Sequence, residues 1–213
     1  MKRTKYIALF YLLLWFVPTA NAQEKFVQLA DTRNFMSGLE KMSALTNTIE
    51  SDFVQEKNLS VLAEKIISKG HFRFRRENNI RWEYTQPYKY LIIISNGQLY
   101  TRDERNRKVY DIESNRMFSE MNRFIGGCIR GDILKDEEQY STEFMESADH
   151  YLVKLVPRND KMRQMLNEVH IMFDKKDFSV TSIRMVESGE DYTKIDFVNK
   201  KLNTDIPLEK FSF

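Results

Sequence analysis

Cysteine is almost missing from this chain. Cys128 is the only one in 213 residues, so no intramolecular disulfide can form and the fold must be held by its core. Proline and glycine are sparse, at 4 and 7 residues. No stretch enriched in either marks a linker, a low-complexity segment or a repeat, so one domain is expected. Catalytic signatures are missing as well. There is no Gly-x-Ser-x-Gly, no His-Glu-x-x-His and no Cys-x-x-Cys, and His71, His150 and His170 lie far apart. These absences argue against a hydrolase of the usual kind, a metal site, another cofactor, and an enzyme in general.

An excess of one charge is also lacking, with 33 Lys and Arg against 31 Asp and Glu. Three of the basic residues, Lys2, Arg3 and Lys5, precede the apolar run from Ile7 to Val17, which is followed by Pro18 and Ala20-Asn21-Ala22. This is the pattern of an export signal with small residues before its cleavage point. The run is about half the length of a spanning helix, which needs ~20 residues. Cleavage after Ala22 is expected, leaving residues 23–213 as the mature domain with one basic residue fewer than its acidic ones. That balance, with export, excludes nucleic acid as a partner. No cysteine stands near the cleavage point, so lipidation there is not expected.

The mature chain begins with a helical period. Phe26, Leu29, Ala30, Phe35, Met36, Leu39, Met42 and Leu45 recur at three- and four-residue steps, with Asp31 or Asn34 to cap them. From about Asn47 the period becomes two. Phe72 and Phe74 alternate with His71, Arg73 and Arg75, and Ile80, Trp82 and Tyr84 with Arg81 and Glu83. Such strands have one apolar and one solvated face. Tyr90 to Ser95 is apolar on both parities, so both its faces should be covered. Asn96-Gly97 is a hairpin signal. A second helix is expected between Ser114 and Gly127, with Met117, Phe118, Met121, Phe124 and Ile125 on one stripe and Gly126-Gly127 as its stop. Alternation resumes from Tyr140 to Val198, with a short helix around Lys161 to Leu166. The fold class expected is mainly β: ten or eleven antiparallel strands in a strongly curved, incomplete barrel covered by helices.

Four stretches carry a family resemblance. They are Phe53-Val54-Gln55, then Lys69-Gly70-His71-Phe72-Arg73-Phe74-Arg75-Arg76, then Ile80-Arg81-Trp82-Glu83-Tyr84-Thr85-Gln86-Pro87, then Ile94-Ser95-Asn96-Gly97-Gln98-Leu99. In order and spacing this region resembles the LolA family of periplasmic lipoprotein carriers. Lys210-Phe211-Ser212-Phe213 looks like a late strand of that family. Glu77 stands where the family commonly has proline.

The resemblance implies a periplasmic protein of a Gram-negative bacterium that holds the acyl chains of lipoproteins between sheet and lid. Its partners would be acylated lipoproteins as cargo, an inner-membrane lipoprotein-releasing transporter and an outer-membrane acceptor, and it would act as a monomer. The arginine that ties lid to sheet in the family matches Arg76, or Arg75 if the register differs by one. The apolar parity set Phe53, Ile66, Phe72, Phe74, Ile80, Trp82, Tyr84 and Ile92 is the candidate cavity lining, and a dry core is the other reading of the same pattern. Met36, Leu39, Met42, Met117, Phe118 and Met121 belong to the expected lid helices, where unbranched thioethers suit a surface that must shift. Carriage of another amphiphile, such as a lipid-linked pigment or polyketide, and sensing of mislocalised lipoproteins under envelope stress remain open on the sequence. Arg73, Arg75, Arg76 and Arg81 together are read as a solvated strand face.

Overall fold

The computed structural model describes residues 24–112, 123–129, 131–187, 189 and 191–212. Met117, Phe118 and Met121 lie outside the described residues. Twelve strands form one antiparallel sheet: β1 (Val27–Gln28), β2 (Thr48–Asn58), β3 (Ile66–Arg75), β4 (Asn79–Gln86), β5 (Tyr90–Ser95), β6 (Gln98–Arg102), β7 (Arg107–Asp111), β8 (Tyr140–Glu146), β9 (His150–Pro157), β10 (Glu168–Asp174), β11 (Val180–Val186) and β12 (Tyr192–Leu202). Among the described residues their order is β1-β8-β9-β10-β11-β12-β2-β3-β4-β5-β6-β7, and the end strands β1 and β7 do not pair, so the barrel stays open.

That order explains where the helices go. Almost every connection is a hairpin between neighbours. Two are not: the chain from edge strand β1 to central β2, and the chain from edge strand β7 to β8 near the opposite edge. Both must traverse the sheet. The first carries helix α1 (Arg33–Leu45), and the second carries helix α2, of which residues 123–129 are described. α1 buries Phe35 and Leu39, and these pack with Cys128 of α2 and with Val153, Leu155, Val169, Ile171 and Phe173 of β9 and β10. Phe35 anchors this half of the lid, its ring centroid 4.7 Å from that of Tyr151 and 5.3 Å from that of Phe173.

A second cluster fills the other half of the concave face, with Phe53, Phe72, Phe74, Ile80, Trp82, Ile94 and Leu99 as members. A third lies on the outer face, where Ile206 and Phe211 cover Leu91 and Ile93. This is why β5 is apolar on both parities.

Several sequence expectations are corrected. Val27–Gln28 is a strand paired to β8 rather than the start of the helix, because an edge offers it backbone partners that a three-residue apolar period cannot. α1 starts at Arg33, whose N–H donates to Asp31 Oδ1 at 3.0 Å. Gly126-Gly127 does not stop α2, which runs through both to 129. A Cβ on Gly127 would sit 3.2 Å from Ile133 Cβ, so the glycine allows close packing on the following 3₁₀ turn, Asp132–Lys135. The late segment Leu208–Phe211 is a 3₁₀ turn, not a strand, because Phe211 is turned onto the outer face. The short helix around Lys161 is Asp160–Arg163, capped by Asn159.

Gly70 is closely enclosed in the sheet. It lies opposite Phe53 on β2, beside an irregularity in the β3–β4 register. A Cβ there would come within 1.9 Å of the Glu83 carbonyl oxygen and 2.8 Å of the Phe53 ring. Gly70→Ala is therefore expected to lower unfolding free energy by roughly 2 kcal/mol or more, measured by urea denaturation.

Candidate functional site: the closure of a helix over an apolar sheet

Helix α1 ends at Leu45 with no basic residue in its last turn. The last carbonyls of any helix lack partners within it and carry the negative end of its dipole. Here the partners come from the sheet. Arg76, just past the end of β3, donates from Nε to Thr46 O at 3.0 Å, and from one terminal nitrogen to Ser43 O at 2.5 Å and Ala44 O at 2.8 Å. Its backbone N–H donates to Asn47 O at 2.8 Å. Leu45 O accepts from Asn203 Nδ2 at 3.1 Å, while Asn203 Oδ1 accepts the Asn47 N–H at 2.7 Å. All four carbonyls from Ser43 to Thr46 are thus held by two side chains outside the helix.

Of the two candidate arginines, Arg76 reaches α1. Arg75 points the other way and donates to Ile206 O at 2.5 Å, fastening the C-terminal segment on the outer face. Adjacent residues at a strand end face opposite sides of the sheet, so the two arginines cannot substitute for each other. Glu77 and Asn78 take φ of 72° and 62° in the turn that follows. Proline, fixed near −65°, cannot occupy such a position. Arg73 and Arg81 pair with Glu50 and Glu83, each at 2.9 Å, but their side chains are 22% and 14% exposed and Arg81 also donates to Lys210 O at 3.1 Å, so this strand face is partly covered rather than solvated.

Beneath the helices the hollow is narrower than the cavity-lining set suggests. A cleft of about 50 Å³ lies between Met42 of α1, Ile125, Cys128 and Ile129 of α2, and Ile49, Phe72, Trp82 and Phe197 of the sheet. It has room for a few water-sized groups. Of the eight candidate lining residues, Phe72 and Trp82 border this cleft. Phe74 borders a larger opening of about 420 Å³ at the end of α1, together with Met36, Leu39, Arg76 and Ile129. Phe53, Ile80, Tyr84 and Ile92 pack into the aromatic cluster, with ring centroids 5.0 Å apart for Phe53–Trp82 and 5.1 Å for Phe53–Tyr84. Ile66 shares their parity but is exposed, and does not join them. With α1 held down, these side chains close on one another, because a dense interior forfeits fewer contacts than a void.

Met36, Leu39 and Met42 all pack beneath α1. Burial pushes the Cys128 thiol up from its usual range, leaving it unreactive while covered. Two residues were missed by the sequence reading. One is Asn203, which holds the end of α1. The other is Lys200, which borders the cleft and donates to Val180 O at 2.9 Å and to Ser179 Oγ. Burial pushes its pKa down, against the pull of Asp177 and Asp174. Proline or glycine punctuation marks neither position. His71, His150 and His170 sit beside different carboxylates, Asp52, Glu24 and Glu168, and are not brought together.

The closure is a set of partly exposed, charge-assisted bonds worth about 1–3 kcal/mol in sum. Arg76→Leu is therefore expected to raise the rate of thiol labelling at Cys128 by roughly tenfold with little change in global stability, since ~1.4 kcal/mol is a factor of ten. Asn203→Ala is expected to raise it by a smaller factor. Paired with Arg76→Leu it should act non-additively, because both residues hold one helix end.

Comparison with known proteins agrees with this architecture. The sequence model of the family described as "Outer membrane lipoprotein carrier protein LolA" matches residues 44–213. An outer-membrane lipoprotein carrier protein from Methylococcus capsulatus is 22% identical over 171 residues, covering 78% of this chain and 76% of that protein. Among solved structures, an uncharacterized conserved protein from Thermus thermophilus superposes with TM-score 0.51 at 9% identity, covering 84% of this chain and 91% of that one. A LolA superfamily protein from Nitrosomonas europaea superposes with TM-score 0.45 at 11% identity, covering 88% and 98%. An open antiparallel sheet under helices, with a family match that spans most of the chain, makes this protein a member of the LolA family of outer-membrane lipoprotein carriers.

Proposed function

We propose that residues 1–22 export the chain and are removed, and that residues 23–213 act as one domain carrying acylated molecules through the periplasm. The cargo is the acyl chains of lipoproteins, taken from an inner-membrane transporter and passed to an outer-membrane acceptor. The observation that carries this reading is the pairing of an apolar cleft with a covering helix whose end is fastened to the sheet by Arg76 and Asn203.

Magnitudes decide how such a device works. Each methylene moved from water into an apolar interior gains ~0.8 kcal/mol. Ten methylenes of one acyl chain therefore outweigh a closure of about 1–3 kcal/mol several-fold. Cargo opens the helix end, and loss of cargo lets it close again without an external energy source. The chain would enter between Met42 and Ile125 on one side and Phe72, Trp82 and Phe197 on the other. Opening costs little at the Phe35 end, because those contacts stay in place while the C-terminal half of α1 lifts. The work assigned to the protein is binding and release, and no bond to the cargo is made or broken.

The test is co-purification from the periplasm followed by mass spectrometry of what is bound. Triacylated lipoprotein is the expected species. A free lipid, pigment or polyene would replace the lipoprotein assignment with carriage of another amphiphile, and a preparation with no bound acyl species would contradict carriage altogether.

A further inference from the structure

We propose that the end of the sheet farthest from Arg76 is a contact surface for an anionic lipid bilayer. β3 is 10 residues long, so its start lies about 30 Å from the Arg76 end. At that start the chain exposes large apolar side chains on neighbouring turns. Val61 and Leu62 stand on the β2–β3 hairpin, Ile66 and Ile67 begin β3, and Tyr88 and Tyr90 stand at the β4–β5 turn. Val61 is 86% and Tyr88 79% exposed. The register brings them side by side: Lys69 pairs with Gln86 and Tyr84 with Tyr90, so Ile66 and Ile67 run past the end of β4 next to the turn that carries Tyr88.

Scattered exposed apolar residues need no explanation, but a cluster on adjacent protruding turns does. Its shape and charge favour a bilayer over a protein groove. The residues crown convex hairpins, and two are tyrosines, whose apolar ring and polar tip suit a headgroup layer. Lys65, Lys69 and Lys89 are exposed at the same corner, with Lys57 half-buried below them. Among acidic neighbours, Glu56 is engaged by Lys65 and by the Tyr192 hydroxyl, and Asp191 accepts the Ser60 N–H. Glu64 stands on the hairpin, and Glu187 lies on the β12 side. Lys65 is paired with Glu56, but Lys69 and Lys89 make no ion pair among the described residues, so their stems can lie along apolar surface while their ammonium groups meet lipid phosphates.

One more feature connects this corner to the interior. Ile66 and Tyr90 share the inward parity of Phe72, Trp82 and Tyr84. On β3 this parity runs from Phe72 through Gly70 and the buried Ser68 to Ile66, and on β4 and β5 from Trp82 through Tyr84 to Tyr90, so the concave face leads into the exposed crown with Ser68 as a polar step. Ile66, which fails as a buried lining residue, is the outer step of that row.

The experiment is co-sedimentation of the full mature chain with extruded vesicles of phosphatidylcholine alone or with roughly a third phosphatidylglycerol. The expected result is pelleting with the anionic vesicles, less with the neutral ones, and a loss of binding of about tenfold or more in the double variant Val61→Asp, Tyr88→Asp. Both side chains are exposed, so that variant should keep the wild-type melting temperature and Cys128 labelling rate, which separates lost docking from lost folding. The proposal is overturned if the wild type stays in the supernatant with both vesicles, if the variant pellets as well as the wild type, or if neutral and anionic vesicles bind equally. Sedimentation with native membranes but not with pure lipid would also overturn it, in favour of a membrane protein partner. The co-purified acyl species of the variant reports separately on carriage, which stands or falls independently of docking.

Discussion

The structure turns on one requirement of the peptide backbone: the carbonyls that close α1, from Ser43 to the C-cap residue Thr46, find little in the helix end beyond the Thr46 N–H, which lies 3.3 Å from Ser43 O. No cation in the helix's final turn answers them, so partners come from elsewhere in the chain. Arg76 arrives from the end of β3 and Asn203 from just beyond β12. A guanidinium suits this task because its fixed fork can meet several carbonyls at once. Those bonds are partly exposed, and under the proposed function they hold the helix without locking it. A buried apolar contact in their place would fasten α1 more firmly and make its release slow.

Topology supplies the rest. An open sheet whose chain twice crosses from one region to another must route those crossings over a face, and helices are the compact way to do so. The same face is concave and aromatic. One end of α1 is anchored by Phe35 among β8, β9 and β10, and the other rests on hydrogen bonds above Phe72, Trp82 and Phe197. Under the proposed function, this asymmetry sets which half of the helix lifts. The cleft is small because its walls are large, soft side chains that close on one another.

Much of the architecture was legible in the residues. Period-two alternation located the long strands, two-sided apolarity in β5 foretold cover on both faces, and Asn96-Gly97 adopts the left-handed turn its chemistry favours, at φ of 51° and 73°. The position of Arg76 at the close of a glycine-led strand was readable from the family resemblance. The partner Asn203 was not, because its role depends on two segments more than 150 positions apart meeting at one helix end. Parity alone also could not tell Ile66 from Phe72: they share a face, but β4 stops short of Ile66 and leaves it uncovered. The start of the mature chain misled for a related reason. Phe26 and Leu29 fit a helical period, yet a free sheet edge captured Val27–Gln28 first.

The central claim is that an acyl chain takes its place under α1 by displacing the helix end from Arg76 and Asn203. The most direct measurement is a crystal structure with a triacylated lipopeptide bound. The account predicts acyl density between Met42 and Ile125 on one side and Phe72 and Trp82 on the other, with the carbonyls of Ser43 to Thr46 released from both side chains. Lipid bound elsewhere, with those contacts intact, would contradict it.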